Sequence, residues 1–131
     1  MIVLDTHTLI WWLKDSEKLS TKAKKEILNS KKDGDIYISS ISIWEIACLV
    51  KKKKLDFKMD LSLWVNKLEK TSWIHFVSVD NEVALRSVFL SGIEHKDPAD
   101  RIIIATAQAL DCPIVTIDPA IRNYGFVKTI W

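Results

Sequence analysis

Short apolar runs recur along the chain: IVL at 2–4, IYIS at 36–39 and IVTI at 114–117, each followed at once by a segment of helical character. No other feature restricts the fold as strongly. A strand with one face in water alternates apolar and polar residues, whereas a strand that is apolar throughout must be covered on both faces. Such strands alternating with helices predict an α/β chain with a mostly parallel sheet of about five strands.

The remaining elements follow from their punctuation. An amphipathic helix is predicted from Ser20 to Leu28, ending near the turn signal Lys32-Asp33-Gly34, and another from Ser42 to about Lys53. Asp60 or Ser62 opens a helix to about Lys70, His75 to Val79 reads as a strand, and Asp80 caps a helix that stops before Gly92. Pro98 to Leu110 reads as a helix, Asp118-Pro119 starts a short one, and Phe126 to Ile130 reads as a terminal strand.

With 131 residues, one domain spanning 1–131 is expected, large enough for a core without staples. Apolar residues make up 48% and charged ones 27%, the balance of a folded soluble protein. No run approaches a membrane span, and the opening MIVLDTHTLIWWL lacks the features of a secretory signal, so a cytoplasmic location is expected. Cys48 and Cys112 stand in apolar surroundings without CxxC spacing and read as buried free thiols.

A net charge of +2 is too small to attract nucleic acid through bulk electrostatics. The lysines are clustered, however, at Lys22, Lys24 and Lys25, at Lys31 and Lys32, and at Lys51 to Lys54. The last cluster ends a helical pattern, where cations complement the helix dipole. Six tryptophans are many for this length, and any exposed one would point to a partner surface.

In a parallel sheet, ligands bind beyond the carboxyl ends of the strands. Asp5 directly follows the first strand and Asp118 the run 114–117, while Glu45 and Asp100 are expected in the first turns of their helices. Each acid alone has a local explanation. Ser42 to Glu45 fits a capping box, Asp118 before Pro119 an N-cap, Asp97-Pro98-x-Asp100 a helix start, and Asp5-Thr6 another cap. Glu45 within ISIWEIACLV and Asp5 after IVL are nevertheless enclosed by apolar residues. Burying a carboxylate costs several kcal/mol unless a cation or metal offsets it, and no lysine or arginine is placed to serve both. A shared Mg²⁺ or Mn²⁺ ion answers this, since hard cations take oxygen ligands and bridge to phosphates. That combination points to metal-assisted phosphodiester hydrolysis.

The segments IVLDTHTLIW, SSISIWEIACLVKKKKL, HKDPADRIIIATAQAL and PIVTIDPAI, in this order, resemble the PIN domains, in particular the VapC-type toxin ribonucleases, over essentially the whole chain. The resemblance implies a three-layer α/β/α sandwich, Mg²⁺- or Mn²⁺-dependent RNA cleavage, a VapB-type antitoxin partner and a homodimer. It assigns the family's acids to Asp5, Glu45, Asp100 and Asp118, with Thr116 accompanying the last. Asp97 and His95 fall in the HxDPxDR pattern of one branch, which makes Asp97 a supporting residue.

Around these acids, Thr6 and Thr8 are candidates to hydrogen-bond near Asp5. Arg101 is expected to pair with Asp97 at i, i+4, the alternative being a carboxylate or phosphate contact. His7 and His75 read as structural, and Lys51, Lys52, Lys53, Lys54 and Lys96 are candidate RNA contacts. Other readings stay open: a PIN nuclease outside toxin–antitoxin pairs, or a degenerate PIN module that binds RNA or protein without catalysis. A receiver module wants paired acids beside the first strand and a lysine after the last core strand, and neither is clear. An aspartyl-phosphate phosphatase of the haloacid dehalogenase type needs an acid two residues after Asp5, where His7 stands.

Overall fold

The computed structural model describes residues 1–92 and 97–131. Five strands alternate with seven helices among these residues: β1 (Ile2–Leu4), α1 (Thr6–Leu13), α2 (Thr21–Asp33), β2 (Ile36–Ser39), α3 (Ser40–Lys51), α4 (Leu61–Glu69), β3 (Ile74–Val77), α5 (Asn81–Val88), α6 (Pro98–Leu110), β4 (Ile114–Val115), α7 (Pro119–Arg122) and β5 (Thr129–Ile130). The strands form one sheet in the order β3-β2-β1-β4-β5, and every pairing is parallel.

The apolar runs feed two separate cores because successive strand residues point to opposite faces. Ile2 and Leu4 join Ile36, Ile38 and Ile74 in a layer closed by Ala23 and Ile27 of α2, Ile46 of α3 and Leu68 of α4. Val3 and Ile114 face the other way, onto Ile103, Ile104 and Ala107 of α6 and Ile121 of α7. The result is the expected three-layer α/β/α sandwich. No helix among the described residues is long and apolar enough to cross a membrane.

Polar caps set most helix starts. Asp5, Ser20, Asp60, Asp80, Asp97 and Asp118 each accept a backbone N–H from the first turn of the helix they precede. Gly34, at φ +71°, ends α2 in the left-handed conformation that a Cβ would disfavour. Helix α2 therefore runs to that glycine, beyond Leu28. Strand β3 starts one residue earlier and stops two residues sooner than expected, and β4 and β5 are shorter than their apolar runs suggested, although Thr116 N still donates to Ile130 O at 3.1 Å beside β5.

The start of α3 differs from its sequence reading. Ser39, not Ser42, is the cap, its Oγ accepting Ile41 N at 3.3 Å. Ser42 lies buried inside the helix, and Glu45 stands in the second turn instead of closing a capping box. Cys112 is a buried thiol, whereas Cys48 is half-buried.

Replacing Ile104, which has no exposed surface, by Ala is expected to lower unfolding free energy by about 2–5 kcal/mol in urea titration. Leu28→Ala, at a side chain 53% exposed, is expected to change it by less than about 0.5 kcal/mol.

Candidate active site

The strand order reverses at β1, with β2 on one side and β4 on the other. A crevice opens where these strands end. It is lined by Asp5, Glu45, Asp100 and Asp118, together with Asp97, Thr6, His7 and Trp11. The carboxylates singled out in the sequence thus come from four different elements or their caps to one place.

Asp5 is the most tightly held, with 6% of its surface exposed. Its backbone N–H donates to Val115 O at 3.3 Å, continuing the β1–β4 ladder past Leu4. One carboxylate oxygen, Oδ1, accepts Thr8 N at 2.7 Å and so caps α1. The other, Oδ2, accepts the hydroxyl of buried Thr116. Thr8 Oγ1 in turn donates to Val115 O at 2.9 Å, a third tie between α1 and β4. Thr116 Oγ1 also accepts Asp118 N at 3.0 Å, and Asp118 Oδ1 caps α7 through Ala120 N at 2.8 Å. A single hydroxyl therefore sets the spacing between the acids that follow β1 and β4.

On the other wall, Thr6 Oγ1 is hydrogen-bonded to Glu45 Oε1 and lies 2.9 Å from Ser42 Oγ. One hydroxyl carries one proton, so the bond to the carboxylate uses that of Thr6 and Ser42 supplies the other. Ser42 and Glu45 are three residues apart and share one face of α3, which is why one threonine reaches both. Glu45 is half-buried, and its pKa is raised chiefly by burial. The Thr6 hydrogen bond opposes this, the charges of Asp100 and Asp97 add to it, and His7 opposes it again. Among the described residues, no three His, Cys, Asp or Glu side chains stand close enough together to chelate a metal ion as placed.

Asp97 caps α6 by accepting Ala99 N at 2.9 Å, Pro98 occupies the first position, and Asp100 follows partly buried in the first turn. Arg101 turns away from the crevice. Its guanidinium donates to Ser87 O at 2.9 Å and Val88 O at 2.7 Å, capping the carboxyl end of α5. The ion pairs among the described residues are Met1–Asp35 and Arg86–Glu82, so the expected Asp97–Arg101 pair is not formed. Lys51 to Lys54 are all exposed, and Lys52 and Lys54 line a groove adjoining the crevice. Lys96 and His95 lie outside the described residues.

Two contributions were missed in the sequence. Ser42 read there as a capping residue, yet it is a buried part of the site's framework; Thr8, expected near Asp5, is bonded to it through its backbone N–H. His7, read as structural, is exposed at the mouth of the crevice, 5.9 Å from the Trp11 ring. His75 has the structural role expected of it, with Nε2 2.6 Å from Gly34 O and its ring beside Tyr37.

A family model described as the PIN domain matches residues 2–127. The chain belongs to the PIN-domain family. Its curated relatives include a protein named Ribonuclease VapC22 from Mycobacterium tuberculosis, 27% identical over 99% of this chain and 98% of that one. Among solved structures it is similar to FitAcB from Neisseria gonorrhoeae, with a TM-score of 0.67 and 20% identity over 98% of this chain and 96% of that one. It is also similar to VapBC2 from Rickettsia felis bound to a promoter DNA fragment, with a TM-score of 0.70 and 16% identity over 98% and 97% of the two chains. The last two likenesses carry the PIN fold itself.

Two consequences are measurable in this PIN domain. Thr116→Val removes the donor to Asp5 Oδ2 and the acceptor of Asp118 N, and is expected to cost about 1–3 kcal/mol in urea unfolding with a chelator present. For Glu45 the sign follows from its raised pKa: the folded state binds its proton more tightly than the unfolded chain does. The associated stability is present below the unfolded pKa and is lost as pH rises through the folded one. Glu45→Gln is therefore expected to stabilise the chelated protein near neutral pH, with the gain shrinking as pH falls toward about 4. A gain that is constant across that range would contradict this account of Glu45.

Proposed function

We propose that this chain is a metal-dependent endoribonuclease of the VapC type, the toxin of a toxin–antitoxin pair. The observation that carries the reading is the gathering of Asp5, Glu45, Asp100 and Asp118 in one crevice at the reversal point of a parallel sheet. The VapC ribonuclease likeness over nearly the whole chain supports it. The donor set consists of carboxylate oxygens, which suits Mg²⁺ or Mn²⁺. Asp5, Glu45, Asp100 and Asp118 line one crevice, and Mg²⁺ is commonly bound through only one or two carboxylates. A bound ion of this kind supplies Lewis acidity toward a phosphate and a more acidic attacking water.

The chain's own residues do the rest. Asp5, Asp100 and Asp118, with Glu45, would hold the ion. Thr116 and Thr8 keep Asp5 in one orientation, so little reorganisation remains at the moment of reaction. Thr6 fixes Glu45 at the wall of the crevice, beside the other acids that would hold the ion. Lys52 and Lys54 beside the crevice meet the RNA backbone. On this reading the chain works in the cytoplasm, with a VapB-type antitoxin as its partner and a second copy of itself in a homodimer.

Wild-type protein freed of partner is expected to cut RNA only with Mg²⁺ or Mn²⁺, and Asp5→Asn or Asp118→Asn to lower kcat/KM by about a hundredfold or more. Equal cleavage by these variants, or cleavage undiminished by a chelator, would overturn the reading. Metal affinity, followed by calorimetry, is expected to weaken as pH falls through the carboxylate range, because protons and the ion compete for the same oxygens. Binding of RNA by a chain that cuts nothing with either ion would favour a non-catalytic PIN module.

A further inference from the structure

Five of the six tryptophans sit in ring–ring contacts: Trp11 with Trp131, Trp12 with Trp73, and Trp64 with Phe57. Trp44 has no ring partner among the described residues and is 61% exposed. An indole left open to water on a folded surface is a contact surface in waiting. It lines a predominantly apolar groove that continues from the carboxylate crevice, sharing His7, Glu45 and Asp97 with it.

The path along this groove is set by α3. Trp44, Cys48 and Lys52 follow at intervals of four, on one face of the helix. Past the helix end, Lys53 takes a left-handed conformation at φ 57°, and Lys54 N donates to Leu49 O at 2.9 Å. The turn brings Lys54 back beside Lys52 at the end of the groove. Pro98 and Ala99 line the groove as well. The charged and titratable groups on its walls are thus His7, Glu45 and Asp97 where it meets the crevice, then Cys48, Lys52 and Lys54.

Resting on the ribonuclease reading, we propose that this groove is a nucleobase subsite, in which the base next to the scissile phosphate stacks on Trp44 and the following phosphate meets Lys52 and Lys54. Single-stranded RNA is held in this way, by aromatic faces for bases and cations for the backbone. A strand leaving the carboxylates along the groove meets an indole and then two ammonium groups, in the order in which base and phosphate are presented. A purely apolar protein segment would leave both lysines without a counter-charge. Trp44 then acts in substrate positioning and specificity, apart from the chemistry carried by the acids.

The test compares binding of a single-stranded oligoribonucleotide with that of a base-free ribose-phosphate chain of equal length, by fluorescence anisotropy with a chelator present. Wild-type protein is expected to prefer the intact RNA by about tenfold, the scale of one base stacked on an aromatic ring. Trp44→Ala is expected to erase that preference while leaving affinity for the base-free chain unchanged, and Trp44→Phe to keep most of it. Replacing Lys52 and Lys54 by Ala is expected to weaken both ligands alike and to flatten the salt dependence. In cleavage assays with the metal present, Trp44→Ala is expected to raise KM about tenfold and to change kcat by less than about twofold.

Equal losses for intact and base-free chains, or wild-type affinities in Trp44→Ala, would overturn the subsite and leave the groove to a protein partner. The binding arm needs no turnover. A base preference that depends on Trp44 in a chain that cuts nothing would refute the ribonuclease reading while upholding Trp44 as a base-stacking site.

Discussion

The hydrogen bond from Thr116 to Asp5 is the contact on which the site depends. It lies just past the paired ends of β1 and β4, between two buried residues, and joins residues 111 positions apart in the chain. A buried carboxylate needs partners for both oxygens; Asp5 finds one in the first turn of its own helix and the other on the neighbouring strand. Because the same threonine oxygen also receives Asp118 N, the separation of two acids is set by core packing and not by flexible loops. The buried isoleucines and valines of β1 and β4 therefore help to set the crevice's geometry from below.

Capping does not keep these acids from the crevice. Asp5, Asp97 and Asp118 are all N-caps, and in each the capping bond is made by one carboxylate oxygen. Helix starts concentrate acids for reasons of local stability. A parallel sheet then gathers several helix starts at the end where its strands finish. A crevice lined by capping acids needs little beyond the fold itself. Glu45 is the exception: it caps nothing, lies in the second turn of α3 half out of water, and is held by Thr6. A carboxylate kept there at an electrostatic cost, with its pKa raised, invites a chemical explanation more strongly than its neighbours do.

Much of this was legible in the chain. The caps at Ser20, Asp60, Asp80, Asp97 and Asp118 and the stop at Gly34 are local signals, and the structure uses each where the sequence placed it. Two of the readings that failed share one cause, a polar residue whose partner lies far along the chain. Ser42 looked like a cap because its partner, Thr6, is 36 residues away. Arg101 looked like a partner for Asp97 on its own helix, yet it reaches the end of α5. His7 looked structural because nothing near it in the chain marks it as lying at the mouth of a crevice.

By itself, the sequence determined the alternation of apolar strands and helices, and hence a parallel sheet covered on both faces, because period and punctuation are local properties of the chain. It also supplied the four acids and their placement just after strands or near helix starts. Only the tertiary structure decided that β1 lies between β2 and β4, that the acids line one crevice, and that Thr116, Thr8, Thr6 and Ser42 brace it. It alone left Trp44 uncovered beside them. Strand order and cross-chain hydrogen bonds depend on which distant surfaces meet, and no periodicity along the chain records that.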